Sequence, residues 1–497
     1  MIEVEKSILF YLLLAVPLAT SFLAFGIKSR RVVEAVHFAG ISIEAFLSLQ
    51  MVQYVIREER LFALGDMLYA DSLVAILLLI IGVVGFLNGF YSIGHMRYDI
   101  SRGEIDEKEI SSYYSFYHIL LFTMVLCALS NNIAIMWVAL EATTLGSAFL
   151  VGFYKHKASA EAAWKYVLIC SVGLAFALYG TILTYSNAFA MVQDAHKAML
   201  WTELIKMAPR LDQQVMKLAF VFILIGFGTK VGLVPMHTWL PDTYSESPSP
   251  VSALLSGVLM KCALFAIIKY YTIALQAIGK EFLETLLLIF GLVSVGVSAF
   301  FILVQKDIKR KLAYSSVEHV GIIATGLGVG GTFGVLGALL HAINHSVTKS
   351  LLFCTAGNVI VKYGTRDSQR IRGIFKVAPV TAFLWTAGLL ALVGSPPFNI
   401  FISEVVTVIA GIEAGHFWAM ILFLVLLVVV FVAFFVLISE TVIGSPPEDL
   451  PKGDVNWLTL LPIGILFVFM AALGLHLPST LSQLLQRAVT IVLGGTI

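Results

Sequence analysis

Charge is what this 497-residue sequence has least of: 32 Lys and Arg with 31 Asp and Glu make up 13% of it. A soluble domain carries about 25%, and 59% of this chain is hydrophobic at a mean hydropathy of +0.93. No soluble core can hide that much apolar surface, so the solvent for most of the chain must be lipid. Neither sign of charge is in excess, the net being +1, so nothing points to a nucleic-acid partner or an acidic substrate. Cysteine is scarce as well. Cys127, Cys170, Cys262 and Cys354 lie far apart inside apolar runs, which leaves neither a CxxC pair nor an iron–sulfur ligand set and makes them small core residues. There is no P-loop and no GxGxxG after a strand. The start, MIEVEK, is acidic rather than basic, so the apolar run after it reads as a first membrane helix and not a cleaved signal peptide.

What is present is a succession of apolar runs. About 20 apolar residues cross the hydrocarbon layer. Polar and Gly/Pro breaks give spans at 7–27, 32–56, 69–94, 114–130, 132–154, 160–186, 217–240, 250–277, 282–304, 312–330, 332–361, 378–410, 416–443 and 456–476. The expected fold is an all-α integral membrane protein of about fourteen transmembrane helices in a single membrane domain. The longest polar stretches, 95–113, 187–216 and 362–377, are too short to fold alone. With the N-terminus outside, the inner loops (28–31, 97–108, 155–157, 306–311, 362–376 and Lys452) hold 18 basic residues against 9 outside, among them Lys6. The positive-inside rule then puts both termini outside.

Several ionisable residues fall at bilayer depth, where a charge costs several kcal/mol and must face protein or water. Glu141 sits in IMWVALEATTLGSAFLV, Lys230 in FILIGFGTKVGLVPMHTWLPD and Lys261 in VSALLSGVLMKCALFAII. His341, His345 and Lys349 recur four apart in LLHAINHSVTKSLLF, and Glu404 follows a Pro-Pro break. The H-x3-H-x3-K spacing lines three titratable groups along one helical face. A lone His there would read as a core residue satisfied by Ser346, Asn344 or the backbone; three titratable groups in a row reverse that balance. A metal site is weaker, because no Asp, Glu or Cys joins the two histidines locally. Secondary candidates are His237, His319 and Lys165, although Lys165 and Lys269 are close enough to span ends to snorkel.

Two spans break at depth beside these charges. Gly232 and Pro235 follow Lys230, and Gly394-Ser395-Pro396-Pro397 precede Glu404. Proline removes a backbone donor, and in lipid the freed carbonyls need protein or water. Paired interrupted helices in two halves are the sequence pointer to an ion path built from inverted repeats. Glu141 and Lys230 are 89 residues apart, Glu318 and Glu404 are 86. The expectation is two inverted five-helix repeats, spans 4–8 (113–277) and 9–13 (282–443), preceded by N-terminal helices (1–112) and followed by a C-terminal helix and tail (456–497). Helices 7 and 12 are the broken ones.

The segments WLPDTYSESPSPVSALLSGVLMK, YSIGHM, DIKRKLAYSSVEHVG and the H-x3-H-x3-K helix resemble the antiporter-like membrane subunits of respiratory complex I. Membrane-bound [NiFe] hydrogenases and multi-subunit sodium/proton antiporters share the same family. The resemblance runs over about 80–450. With SPPFNIFISE and an acidic Glu404, the chain looks most like the component F branch of hydrogenase-4 and formate hydrogenlyase systems. What the resemblance implies is a proton line: Glu141 paired with Lys230, then Lys261, then His341, His345 and Lys349, with Glu404 as exit group. It implies no cofactor in this chain. Iron–sulfur clusters and nickel–iron or flavin belong to partner subunits, namely other membrane subunits and a peripheral redox module. The ion is the proton, with sodium as the alternative, in a bacterial or archaeal cytoplasmic membrane. Competing readings are a sodium/proton antiporter subunit, or a structural anchor whose buried charges only lock helices together.

Overall fold

The computed structural model describes residues 2–448 and 450–495, with side chains from Ser7 onward. Lys6, counted above with the outer face, therefore lies outside the described side chains. The chain is helical almost throughout: α1 Ile2–Gly26, α2 Arg30–Glu58, α3 Ser72–Arg102, α4 Ile110–Leu129, α5 Ile133–Val151 and α6 Lys157–Val192. Then come α7a Gln213–Val231, α7b Leu240–Glu246, α8 Ser249–Ile278, α9 Lys280–Val304, α10 Ile308–Val329 and α11 Gly331–Tyr363. The last are α12a Pro379–Leu392, α12b Asn399–Glu413, α13 Phe417–Val442, α14 Trp457–Leu475 and α15 Ser479–Val492. Among the described residues, eleven of these helices are long and apolar enough to cross a membrane. The chain is a multi-pass all-α membrane protein.

The local sequence explains the boundaries. Asn132 accepts from the Ala134 and Ile135 amides at 2.9 and 3.2 Å and so starts α5, splitting it from α4 at the Ser130-Asn131-Asn132 turn. Asp307 caps α10 in the same way through the Lys309 and Arg310 amides. These caps satisfy donors that would otherwise be orphaned at a helix start. The span expected at 217–240 ends early, at Val231, because Gly232 turns left-handed (φ 92°). The span expected at 378–410 is two half-helices, divided where Gly394 takes φ 65°. Hydropathy did not show the hairpin of β1 Leu61–Ala63 and β2 Leu68–Ala70. Nor did it show α15, whose Leu481, Leu484, Leu485 and Val489 are buried while Arg487 pairs with Glu59 at 3.3 Å.

Burial places α8 at the centre: its apolar stretch is buried along its whole length, against about one third for α13, whose mean hydropathy of 3.7 suits lipid. Close crossings rely on small residues, as expected where lipid removes the hydrophobic drive between helices. Along α6 and α7a, Gly173 meets Thr229, Gly180 meets Ala219 and Ile223, and Gly226 lies on the backbone of Ala177. A Gly226→Val variant should lower stability by about 1–3 kcal/mol through overpacking. The check is thermal unfolding of the purified protein in detergent, where an unchanged Tm would mean that the crossing is looser than the structure shows.

The loops sort onto two faces. Tyr154 donates to Asp99 at 2.8 Å, Lys155 pairs with Glu109, and Arg366 pairs with Asp307 at 3.4 Å. Arg97 meets Glu34 at 2.6 Å. The stretches 28–31, 97–108, 155–157, 306–311 and 362–376 thus share one face, as the alternation of spans required. At the other face the Asn131 amide donates to Met67 O at 2.9 Å, and the Trp201 amide to Asn131 O at 2.7 Å.

Candidate functional site

The structure brings most of the deep charges together. Lys230 ends α7a just before the break, and its Nζ donates to Thr144 Oγ1 of α5 at 2.8 Å and to Tyr166 OH of α6 at 2.6 Å. Ser147 Oγ lies 2.7 Å from the same tyrosine oxygen. The expected Glu141–Lys230 ion pair is not formed. Glu141, one turn before Thr144, accepts from Ser171 Oγ at 2.7 Å and leaves its other oxygen buried without a partner. α6 supplies a hydroxyl to each, Tyr166 to Lys230 and Ser171 to Glu141, and Thr144 of α5 completes the hold on the lysine.

Lys261 lies just beyond a π-helical turn, Leu255–Leu259, in α8. Turns of this kind loosen the backbone ladder and recur at functional sites. Here the Ser256 carbonyl, five residues earlier, accepts from Lys261 Nζ at 2.7 Å. The same ammonium contacts His345 Nδ1 on α11. From His345 the ring of His319 on α10 is 4.8 Å away, centroid to centroid. His319 Nδ1 lies 2.9 Å from His341 Nε2, and His341 Nδ1 lies 3.0 Å from Ser403 Oγ of α12b. The next residue is Glu404, nearly buried, against Gly394 at the second break. It is the only ionisable group in the lining of a cavity of about 340 Å³.

Lys349 donates to Leu312 O of α10 at 2.7 Å and to Ser315. A second link ties it to Lys261: Ser256 Oγ and Ser316 Oγ are 2.9 Å apart, and Ser316 donates to the same Leu312 carbonyl at 3.1 Å. The H-x3-H-x3-K face is therefore engaged from end to end, with residues of α8, α10 and α12b rather than with Ser346 or its own turn. Among the described residues no group of three or more His, Cys, Asp or Glu side chains converges as metal ligands.

The secondary candidates separate. His319 belongs inside the line, between His341 and His345. Lys165 snorkels as expected, pairing with Glu161 at 2.8 Å and Asp242 at 3.2 Å near the surface. His237 lies beside the first break with its Nδ1 lacking a hydrogen-bond partner and its ring centroid 6.2 Å from that of Tyr314. Lys269 does not snorkel: it is buried, donating to Ser130 O at 2.9 Å beneath the Trp201 ring. The turn of Ser130 and the helix of Trp201 cover the end of α8, so no aqueous exit is left to its ammonium.

The sequence reading missed other groups. Glu318, used only as a spacing marker, is buried with Oε2 4.0 Å from His319. Thr144, Tyr166 and Ser403 gave no signal, since hydroxyls do not interrupt hydropathy. Glu44, inside the apolar run of α2, was legible and passed over; both its oxygens are buried without a partner. His37 and His118 form a separate buried pair at 3.0 Å.

On the basic face, a cavity of about 500 Å³ is lined by residues from four of these stretches, among them Asp99, Glu104, His156, Lys309 and Arg366. Glu104 sits in the loop after α3, and partial burial, then the charge of Asp99, hold its carboxyl above the usual carboxylate range.

A bundle with two broken helices and a buried line of lysines, histidines and glutamates between them defines a polytopic membrane subunit of the ion-antiporter type. The family described as NADH:quinone oxidoreductase/Mrp antiporter, transmembrane, matches residues 130–430, and the chain belongs to it. It is 36% identical to a hydrogenase-4 component F homolog of Methylacidiphilum infernorum, over 85% of this chain and 88% of that one. It is 31% identical to the NADH-quinone oxidoreductase subunit N of Desulforudis audaxviator, over 73% and 74%. A chain in the structure of an archaeal membrane-bound sulfane sulfur reductase, a respiratory membrane complex, has the same fold (TM-score 0.87, 24% identity, 97% of each chain).

Proposed function

We propose that this chain is the proton-translocating membrane subunit of a redox-driven complex, of the membrane-bound hydrogenase type or of the complex I-like NADH:quinone oxidoreductase type. The observation that carries this reading is the buried run Lys261–His345–His319–His341–Ser403, hydrogen-bonded except where the His345 and His319 rings pack together, which ends beside the nearly buried Glu404. Every member but the serine can hold or release a proton, and their rings and hydroxyls touch. Groups this close titrate as one coupled set.

In this reading Glu141 and Lys230 form the first stage. Desolvation favours the neutral amine and a nearby carboxylate favours the ammonium, so a shift of Glu141 toward Lys230 would load it. Lys261, His345, His319, His341 and Lys349 are the axis, and Glu404 is the exit group. The described helices are read as fourteen spans in two inverted repeats. Support comes from the shared break after a left-handed glycine, the shared caps Asn132 and Asp307, and the long helices α6 and α11 at matching places. The basic face is taken as cytoplasmic, with both termini outside a bacterial or archaeal cytoplasmic membrane. Moving one charge against 100 mV costs about 2.3 kcal/mol. That energy, with iron–sulfur clusters and nickel–iron or flavin, would come from a peripheral redox module and other membrane subunits.

The test is gentle purification of the tagged chain from native membranes, with partner identification and analysis for nickel, iron and flavin. Nickel with a hydrogenase large subunit is the expected result, and flavin without nickel would point to the complex I type. Neither, with only small membrane subunits bound, would favour a sodium/proton antiporter.

A further inference from the structure

The buried line changes character at Glu404. Up to Ser403 each member touches another polar group, whereas Glu404 faces a cavity of about 340 Å³ whose other lining residues are all apolar. On α12b, Phe401, Glu404 and Val405 share one helical face, and on α13 Leu424, Val428 and Phe431 share another. These are the spacings of helices that pack together, yet the cavity lies between them. The second break makes room at one end. Gly394 is left-handed at φ 65°, and a methyl group there would strike the Glu404 carboxyl.

Two properties of the cavity define what it takes. The first is its one polar group. Glu404 is only 7% exposed, lines the cavity, and has no hydrogen bond or ion pair with any described residue. A carboxyl alone among apolar walls is short of a donor or a cation. The rings of Phe401 and Phe431 line the same space, and aromatic faces attract cations. The second property is the mouth. Leu424, Val428 and Phe431 are 45%, 61% and 39% exposed and lie around the middle of α13, so the opening is toward hydrocarbon and not toward water. A phospholipid headgroup would bring a phosphate that the carboxylate repels, and a quinone would bring two acceptors to a single group. A base on an apolar body matches both properties.

We propose that this cavity is a binding site for small lipophilic amines, which enter sideways from the lipid and seat their nitrogen on Glu404. A volume of about 340 Å³ is at the small end for ligand sites, and such sites combine apolar walls with a few polar groups. The amine arrives as the free base, because a charge at bilayer depth is costly. When Glu404 carries a proton, its O–H bond breaks and the proton joins the nitrogen lone pair. The product is an ammonium–carboxylate pair with the same net charge as the two neutral reactants. Binding itself is independent of the proton-translocating reading. Its consequence rests on that reading, since an exit carboxylate held by an amine cannot reload, and the ligand would act as an inhibitor.

The experiment uses the intact complex in inverted membrane vesicles and a lipophilic tertiary amine bearing a diazirine, with its quaternary ammonium and its alcohol counterpart as controls. Photolabelling, read by peptide mass spectrometry, is expected within 401–409 and 424–431. It should fall at least tenfold in Glu404→Gln and with either control. Below the amine's own pKa it should rise about tenfold per pH unit, because binding of the aqueous ammonium releases one proton. Val428→Trp narrows the mouth and keeps the carboxyl; it should also lose the label, and it decides the matter if Glu404→Gln fails to assemble. Equal labelling of wild type and Glu404→Gln, equal labelling by amine and alcohol, or no label in the wild type would overturn the site. So would a cross-link there to another subunit, which would assign the space to a protein neighbour. Translocation, measured in parallel, should slow at least fivefold at saturating amine. Glu404-dependent labelling with undiminished translocation would keep the site and remove instead the exit role of Glu404.

Discussion

Replacing Lys230 by alanine is expected to abolish coupled proton translocation while the complex still assembles. The lysine is the only ammonium at the first break, and its bonds are to Thr144 and Tyr166. Removing it leaves two hydroxyls, and Tyr166 keeps Ser147 as a partner at 2.7 Å. No ion pair is broken at that point, so the folding penalty of 3–5 kcal/mol that follows the loss of one partner of a buried ion pair does not arise. The loss of function, by contrast, should exceed tenfold, because hydroxyls cannot store a proton near neutral pH. Dye-reported acidification of inverted vesicles, normalised to the assembled complex, makes the comparison. Full translocation by a well-assembled variant would refute the proposed role of Lys230, and loss of assembly ahead of transport would favour the structural-anchor reading.

His345→Gln should be nearly as damaging, for a different reason. Among the described residues, His345 is the side chain that joins Lys261 to the histidine cluster, reaching the ammonium through Nδ1 and lying with its ring 4.8 Å from that of His319. A glutamine oxygen can still accept from Lys261, so packing and the buried ammonium are both preserved, whereas an alanine there would leave the charge half-unsatisfied. What glutamine cannot do is take up a proton. Translocation is expected to fall more than tenfold, or over about 1.4 kcal/mol of barrier, with assembly intact. A wild-type rate in His345→Gln would mean that the position needs only an acceptor, and would overturn the role of His345 as a proton carrier.

The sequence made some of this site plain. Lys230, Lys261, Lys349 and Glu404 stand out because a charge in an apolar run has a large, calculable cost and needs a purpose. Periodicity of four put His341, His345 and Lys349 on one face, and that face is the one engaged. His319, only a secondary candidate in VEHVG, turned out to bridge the two stronger histidines. It was undervalued because its partners lie 22 and 26 residues away on another helix. The Glu141–Lys230 pairing was drawn too simply: it assumed that oppositely charged residues at one depth must touch, while Ser171 and Tyr166 of α6 stand at hand to each.

By itself the sequence determined the solvent, most of the helical spans and the chemistry available at depth. Hydropathy, helix caps and the Gly/Pro breaks act over one or two turns, and the cost of burying charge depends on residue type alone. It also determined which loops share a face, since successive spans alternate between the two sides. The tertiary structure decided who touches whom: hydroxyls rather than a carboxylate on Lys230, His319 between His341 and His345, Lys269 sealed under Trp201, and the lipid-side cavity at Glu404. Those contacts hang on crossings set by glycines such as Gly173, Gly180 and Gly226, where the absence of a single methyl group lets two helices approach. Neutral polar residues like Thr144 and Tyr166 interrupt no hydropathy profile, so only the packed helices show that they meet Lys230.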